Sequence, residues 1–170
     1  AMQWSLVGSE KCIRDRQYRD QPEAAMIRLK AQGHLGEGVT CKLETGQAMV
    51  AAGLHPSAGG DGLSACSGDM LLEALVACAG VTMNAVATAL AIELRDATIS
   101  AECDLDIRGT LGVSKEAPVG LENICLNFEL DTDASEDQIQ SLLKLTERYC
   151  VIFQTLQNKP EMKLIHSVKA

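Results

Sequence analysis

The groups in this chain best suited to chemistry are its seven cysteines, Cys12, Cys41, Cys66, Cys78, Cys103, Cys125 and Cys150. A cysteine thiolate attacks electrophiles, binds soft metals and enters an oxidation ladder whose first rung is sulfenic acid. The count is odd, so the cysteines cannot all pair within one chain. There is no C-x-x-C and no Cys/His spacing of the zinc type; His55, Cys66 and Cys78 could hold a metal only by folding together. No resident metal or cofactor is expected. Cys78 lies inside the apolar run Leu75-Val76-Ala77-Cys78-Ala79-Gly80, and Cys150 follows Arg148-Tyr149. Both admit two readings. A cysteine in such a setting behaves as a small buried hydrophobe. To react, it needs nearby positive charge or the start of a helix to favour its thiolate. Arg148 and a helical turn beginning at Val151 offer some of that to Cys150, whereas the neighbours of Cys78 in sequence offer almost none. Composition and spacing leave the choice open.

The elements that must position these thiols are well punctuated. Residues 1–23 are polar, with Arg14, Arg16 and Arg19 close together, and read as an irregular extension before a single domain over 24–170. Alternation of Ala25, Ile27, Leu29 and Ala31 with Met26, Arg28 and Lys30 predicts a first strand. Gly33-His34-Leu35-Gly36-Glu37-Gly38 reads as a break, followed by strands around Val39–Leu43 and Ala48–Val50. A loop spans Leu54 to Ser67, with Asp69 as the expected N-cap of a long helix. From Met70 to Leu94 the residues are nearly all apolar. That length could cross a bilayer, but a helix apolar on every side also suits the buried axis of a soluble fold, which is the reading preferred here. Residues 97–108 and 124–130 alternate as strands, with Ile124, Leu126, Phe128 and Leu130 facing inward. Ser135 with Gln138 forms a capping-box signature for a helix whose stripe is Ile139, Leu142, Leu143 and Thr146. Met162, Leu164, His166 and Val168 alternate as a last strand. The order βββ–α–ββ–α–β is an α+β fold, antiparallel sheets around a long central helix. One chain leaves apolar faces uncovered, so an intimate, intertwined homodimer is expected.

Charge narrows the partners. Fifteen Lys and Arg against 23 Asp and Glu give a net charge of −8, which argues against nucleic acid and anionic membranes. With 46% hydrophobic and 22% charged residues the chain is of globular type. Free thiols without a secretory signal at the N-terminus fit a reducing, cytoplasmic setting.

Two segments resemble a known family. Gly59-Gly60-Asp61-Gly62, followed by Asp69-Met70-Leu71-Leu72-Glu73-Ala74-Leu75-Val76-Ala77-Cys78-Ala79-Gly80, is similar to the OsmC/Ohr motif: a glycine-rich loop, an acidic-Leu-Leu element, then a small-residue helix carrying the first cysteine. Glu147-Arg148-Tyr149-Cys150-Val151-Ile152-Phe153-Gln154-Thr155-Leu156 resembles the family's second cysteine motif. The order of elements agrees with that family over roughly residues 24–168. The resemblance implies an OsmC-like fold, a homodimer with active sites at the subunit interface, and a peroxidase of the cysteine type. By the same resemblance Cys78 is the peroxidatic cysteine, oxidised by an organic hydroperoxide to sulfenic acid. Cys150 resolves that acid as a disulfide, and a dithiol or dihydrolipoyl-type reductant regenerates both thiols. Leu72, Leu75, Val76 and Phe153 would suit an organic substrate, and ordinary core packing would use the same residues.

The chain departs from the family in its activating groups. Where members carry an arginine on the first hairpin it has His34, in Gly33-His34-Leu35-Gly36; where they carry a glutamate it has Gly68, with Asp69 one residue on. Asp69 matches the acidic residue of an OsmC-like branch, and Cys150 is followed by Val151 where proline is frequent. His34, if it supplies the cation, does so only partly at neutral pH, because an unperturbed histidine titrates near 6.5; Arg14, Arg16 or Arg19 could take its place. Two other functions fit the residues: a non-enzymatic module binding a small hydrophobic ligand, and a thiol switch that oxidises without turnover.

Overall fold

The computed structural model describes residues 32–35, 40–44, 49–112 and 114–168. Three short strands open the fold: β1 (Gln32–Leu35), β2 (Thr40–Glu44) and β3 (Met49–Gly53). They form an antiparallel meander, with His34 opposite Lys42 and Cys41 opposite Ala52. His34 therefore lies in a strand, where the glycines around it had suggested a turn. The strand expected over 25–31 and the N-terminal arginines lie outside the described residues.

The glycine-rich loop has a steric reason for its composition. After a 3-10 turn at Pro56–Ala58 the chain folds back on itself, and a Cβ on Gly60 would sit 1.7 Å from the Leu54 carbonyl oxygen. Gly59 adopts a left-handed φ of 96°, which costs glycine little. The returning chain pairs as a two-residue strand, β4 (Ala65–Cys66), parallel to β3, an exception to the otherwise antiparallel pairing.

Helix α1 (Ser67–Ala89) leaves this strand directly, with Cys66 at the N-cap position. Asp69 is thus not the cap; it sits in the first turn, where its charge still complements the helix dipole. By length and composition α1 could cross a membrane. In the fold it lies across β5 (Asp96–Asp104) and against two C-terminal helices, burying Leu75, Ala79, Met83, Val86 and Ala87. Small residues permit that approach: a Cβ on Gly80 would already meet Ile99 Cδ1 at 3.3 Å.

Strand β5 pairs antiparallel with β6 (Glu122–Asp131), Ile99 opposite Phe128 and Ala101 opposite Leu126. The inward alternation holds along β5 and from Leu126 onward on β6, but Ile124 is exposed. Alternation had carried β5 on to Arg108; instead the register slips between Glu102 and Asp104, and Asp106 caps a helical turn, α2 (Ile107–Thr110). Arg95 bridges Asp131 and Asp133, and the Thr132 hydroxyl donates to the Glu93 carbonyl, tying the far end of this hairpin to the chain that leaves α1.

Helix α3 (Glu136–Tyr149) begins with the expected capping box, the Gln138 N–H donating to Ser135 Oγ and the Ser135 N–H to Gln138 Oε1. Its stripe buries Leu142 and Thr146 under α1. Helix α4 (Val151–Gln157) follows without a spacer. Beyond it, Met162–Val168 forms no strand, because no edge among the described residues pairs with it; Met162, Leu164, Ile165 and Val168 are each at least 83% exposed. Two core clusters result, one around Met83, Val86, Ile92 and Leu142, the other around Leu75, Ala79 and Cys150.

Candidate active site

The second cluster holds both motif cysteines. Cys150 is the residue at which α3 stops and α4 starts. Its N–H still donates to the Thr146 carbonyl at 2.9 Å, but its backbone is extended (φ −72°, ψ 106°) and the chain changes direction there. Its own carbonyl then accepts from Gln154 N–H at 2.9 Å, while Gln154 Nε2 reaches back to the Glu147 carbonyl. The kink leaves the first amides of α4 without helical acceptors, as every helix start does. Those amides face α1, where Cys78 stands one turn before Thr82 on the same side of the helix.

The two thiols meet with opposite tendencies. Burial alone pushes the Cys78 thiol up. Against it, the Ile152 N–H, the Cys150 thiol, the Val151 N–H and the Thr82 hydroxyl all donate toward its sulfur, and together they hold its pKa below the ordinary thiol value. Burial likewise pushes Cys150 up, and there it wins. The Phe153 N–H offsets part of the rise, but the neighbouring Cys78 adds to it as hydrogen-bond acceptor and as charge. Of the two, Cys78 is the thiol that ionises more readily and Cys150 the one that holds its proton more tightly. Cys78 is half-buried and Cys150 only 1% exposed.

The structure thus joins Cys78 and Cys150, which the motifs had singled out, and leaves Asp69 apart from them. Asp69 lies nine residues before Cys78, on the opposite face of α1 and roughly 13 Å away along its axis. Within one chain it does not reach the thiol. The backbone of His34 lies in β1, and its side chain lies outside the described residues. Among the described residues every group that lowers Cys78 is a neutral donor. Sequence reasoning missed Thr82, whose spacing of four from Cys78 was the available signal. It also assigned the start of α4 to Cys150, when the amides of that turn serve Cys78 as well.

Two cavities flank Phe153. One, about 340 Å³, is walled by Leu126, Phe128, Leu143 and Phe153 and touches Cys150. The other, about 310 Å³, is bounded by Leu75, Ile124, Leu126, Phe153 and Leu156.

Comparison with known proteins agrees on the architecture. The family model described as OsmC-like protein matches residues 59–165, which contain both cysteines. An OsmC-like protein from Mycoplasma pneumoniae superposes with a TM-score of 0.66 at 20% identity, covering 78% of this chain and 89% of that one. A Legionella pneumophila organic hydroperoxide resistance protein OsmC gives 0.62 at 16% identity, over 78% and 91%. The organic hydroperoxide resistance protein OhrB of Bacillus subtilis gives 0.55 at 17% identity, over 78% and 93%. At these identities the likeness establishes the fold. No curated protein sequence matches the chain as a relative.

Proposed function

We propose that this chain, which belongs to the OsmC-like protein family, is a cytoplasmic, thiol-dependent hydroperoxide reductase acting in oxidative-stress defence. The observation that carries this reading is the pairing of a thiolate-favouring Cys78 with a proton-holding Cys150. Solved proteins of the same fold include organic hydroperoxide resistance proteins, which supports the choice of substrate.

The chemistry follows from the two pKa directions. The Cys78 thiolate attacks the terminal oxygen of a hydroperoxide, and the O–O bond breaks. The leaving alkoxide takes the Cys150 proton, directly or through water, and departs as the alcohol. Cys78 is then a sulfenic acid and Cys150 a thiolate. That thiolate attacks the sulfenic sulfur and expels hydroxide, leaving a disulfide. A dithiol supplies two electrons and two protons to restore both thiols. The apolar cavity beside Leu75 and Phe153 favours an organic hydroperoxide over hydrogen peroxide.

The working unit in this proposal is a homodimer. Leu71 and Val81 on α1, Leu90 just past its end and the apolar residues of 162–168 are exposed in one chain, and a second copy would cover them. Asp69 cannot act on Cys78 of its own chain, so its proposed part requires the second copy to bring it there; His34 remains the proposed cation. Peroxide consumption with dithiothreitol tests the reading: rapid loss of cumene hydroperoxide, faster than of hydrogen peroxide, is expected. A sulfenate that forms without turnover would make the protein a switch, and no reaction at all would overturn the proposal. Light scattering should find a dimer at micromolar concentration; a stable monomer would remove the interface.

A further inference from the structure

The break between α3 and α4 sends its backbone donors to sulfur. In an uninterrupted helix the Val151 N–H would donate to the Glu147 carbonyl and the Ile152 N–H to the Arg148 carbonyl. Cys150 turns out of the helix at ψ 106°, and both amides serve Cys78 instead. A carbonyl that loses its helical amide falls to a side chain or to water. At Glu147 the replacement comes from Gln154, whose Nε2 donates to that carbonyl at 2.9 Å. Among the described residues this is the only side-chain hydrogen bond joining α3 to α4. The N–H of the same residue closes the first turn of α4 on the Cys150 carbonyl, also at 2.9 Å. Gln154 thus grips the last turn of α3 with its side chain and the first turn of α4 with its backbone. Its amide is held in turn: Asn158 Nδ2 donates to Gln154 Oε1 and to the Gln154 carbonyl, each at 3.1 Å.

We propose that Gln154 is a positioning residue for Cys78: its side chain clamps the kink at the angle that aims the Val151 and Ile152 amides at the Cys78 sulfur. The inference rests on the reading of Cys78 as the attacking thiol and names a residue that prepares it. The clamp matters because a hydrogen bond weakens steeply as its angle closes, so one rotation of α4 about Cys150 takes both amides off the sulfur together. Nor is the turn fixed by other covalent means. A proline at position 151 would hold Cys150 extended but has no N–H to give. Val151 gives its N–H and leaves the turn to be held from outside. Gln154 is half-buried, so water replaces its bond to Glu147 only in part.

The test uses no peroxide, so that it stands apart from the hydroperoxidase reading. The reduced full chain is treated with iodoacetamide from about pH 5 to pH 10, and alkylation of the Cys78 peptide is followed by mass spectrometry. Cys150, the titratable group that faces Cys78 among the described residues, is unaltered in every variant. Gln154→Met keeps the length of the side chain and removes the donor. On the rising limb of the profile the rate should fall about fivefold, as one neutral hydrogen bond is worth, with the midpoint higher by roughly 0.7 pH unit and the high-pH plateau kept. Thr155→Val removes a bond of the same kind that lies wholly within α4, from Thr155 Oγ1 to the Val151 carbonyl at 2.8 Å, and should leave the midpoint in place. An unmoved midpoint in Gln154→Met, or an equal shift in Thr155→Val, would overturn the clamp. Should Gln154→Met fail to fold, Asn158→Ala at an exposed position loosens the same amide and should slow the rising limb about twofold; no shift there would overturn it as well. A shifted midpoint in a chain that consumes no hydroperoxide would keep the clamp and remove the peroxidase.

Discussion

The middle of α1 and the kink between α3 and α4 each present one cysteine to the same small volume, yet the two thiols are tuned in opposite directions. Cys78 has an apolar helix on both sides of it in sequence and takes its favourable partners mainly from elsewhere: two amides of α4 and the Cys150 thiol, with only Thr82, one turn on, from its own helix. Cys150 belongs to the element that provides those amides but lies deeper, and burial decides its protonation. The readier ionisation of Cys78 comes mainly from what faces it across a helix contact. The tighter proton of Cys150 comes from its own burial. In the proposed mechanism that difference sets the order of events, because the group that ionises first attacks first.

Removing each sulfur in turn breaks the comparison most severely. Cys78→Ser should abolish oxidation by hydroperoxide even in a single turnover, a loss of at least about a thousandfold given how weak an un-ionised hydroxyl is as nucleophile; stopped-flow with cumene hydroperoxide measures it. Cys150→Ser should consume one equivalent quickly and stall at the sulfenic acid; a second equivalent then drives Cys78 slowly to the sulfinic state, visible in the mass as two added oxygens. Normal turnover in Cys150→Ser would exchange or erase the assigned roles. Thr82→Val sharpens the comparison by removing one donor. The Cys78 rate should rise with pH to a plateau whose midpoint lies below an ordinary thiol's, and this variant should move that midpoint up, slowing the reaction at neutral pH by about tenfold, the low end of what one hydrogen bond to a charged group is worth. His34→Arg has the smallest expected effect: arginine stays charged where histidine does not, so the rate at pH 8 should rise about two- to threefold. An unchanged rate would leave the thiolate to neutral donors.

Legibility differed by element for physical reasons. The capping box at Ser135 and the stripe Leu142–Thr146 were readable because a helix start and an amphipathic face are local patterns. Strand β6 was readable from its period, but not that Ile124 would be exposed, which depends on how far the hairpin is covered. The strand expected through Met162, Leu164, His166 and Val168 is absent because alternation creates a willingness to pair and no edge among the described residues meets it. Asp69 lost the cap position because β4 runs on to Cys66, a pairing with β3 that no local signal marks.

By itself the sequence determined which residues could matter: two cysteines in recognisable motifs, a long small-residue helix, glycines where Gly60 must pass the Leu54 carbonyl, and the family to which these belong. Only the tertiary structure decided how readily each of the two thiols ionises. Thiol pKa depends on hydrogen bonds and burial within a few ångströms, and all the donors to Cys78 except Thr82 come from residues more than seventy positions away. The same holds for the cavity at Cys150, whose walls come from β6, α3 and α4. Local patterns encode elements, whereas the field at a sulfur atom exists only once the elements have packed.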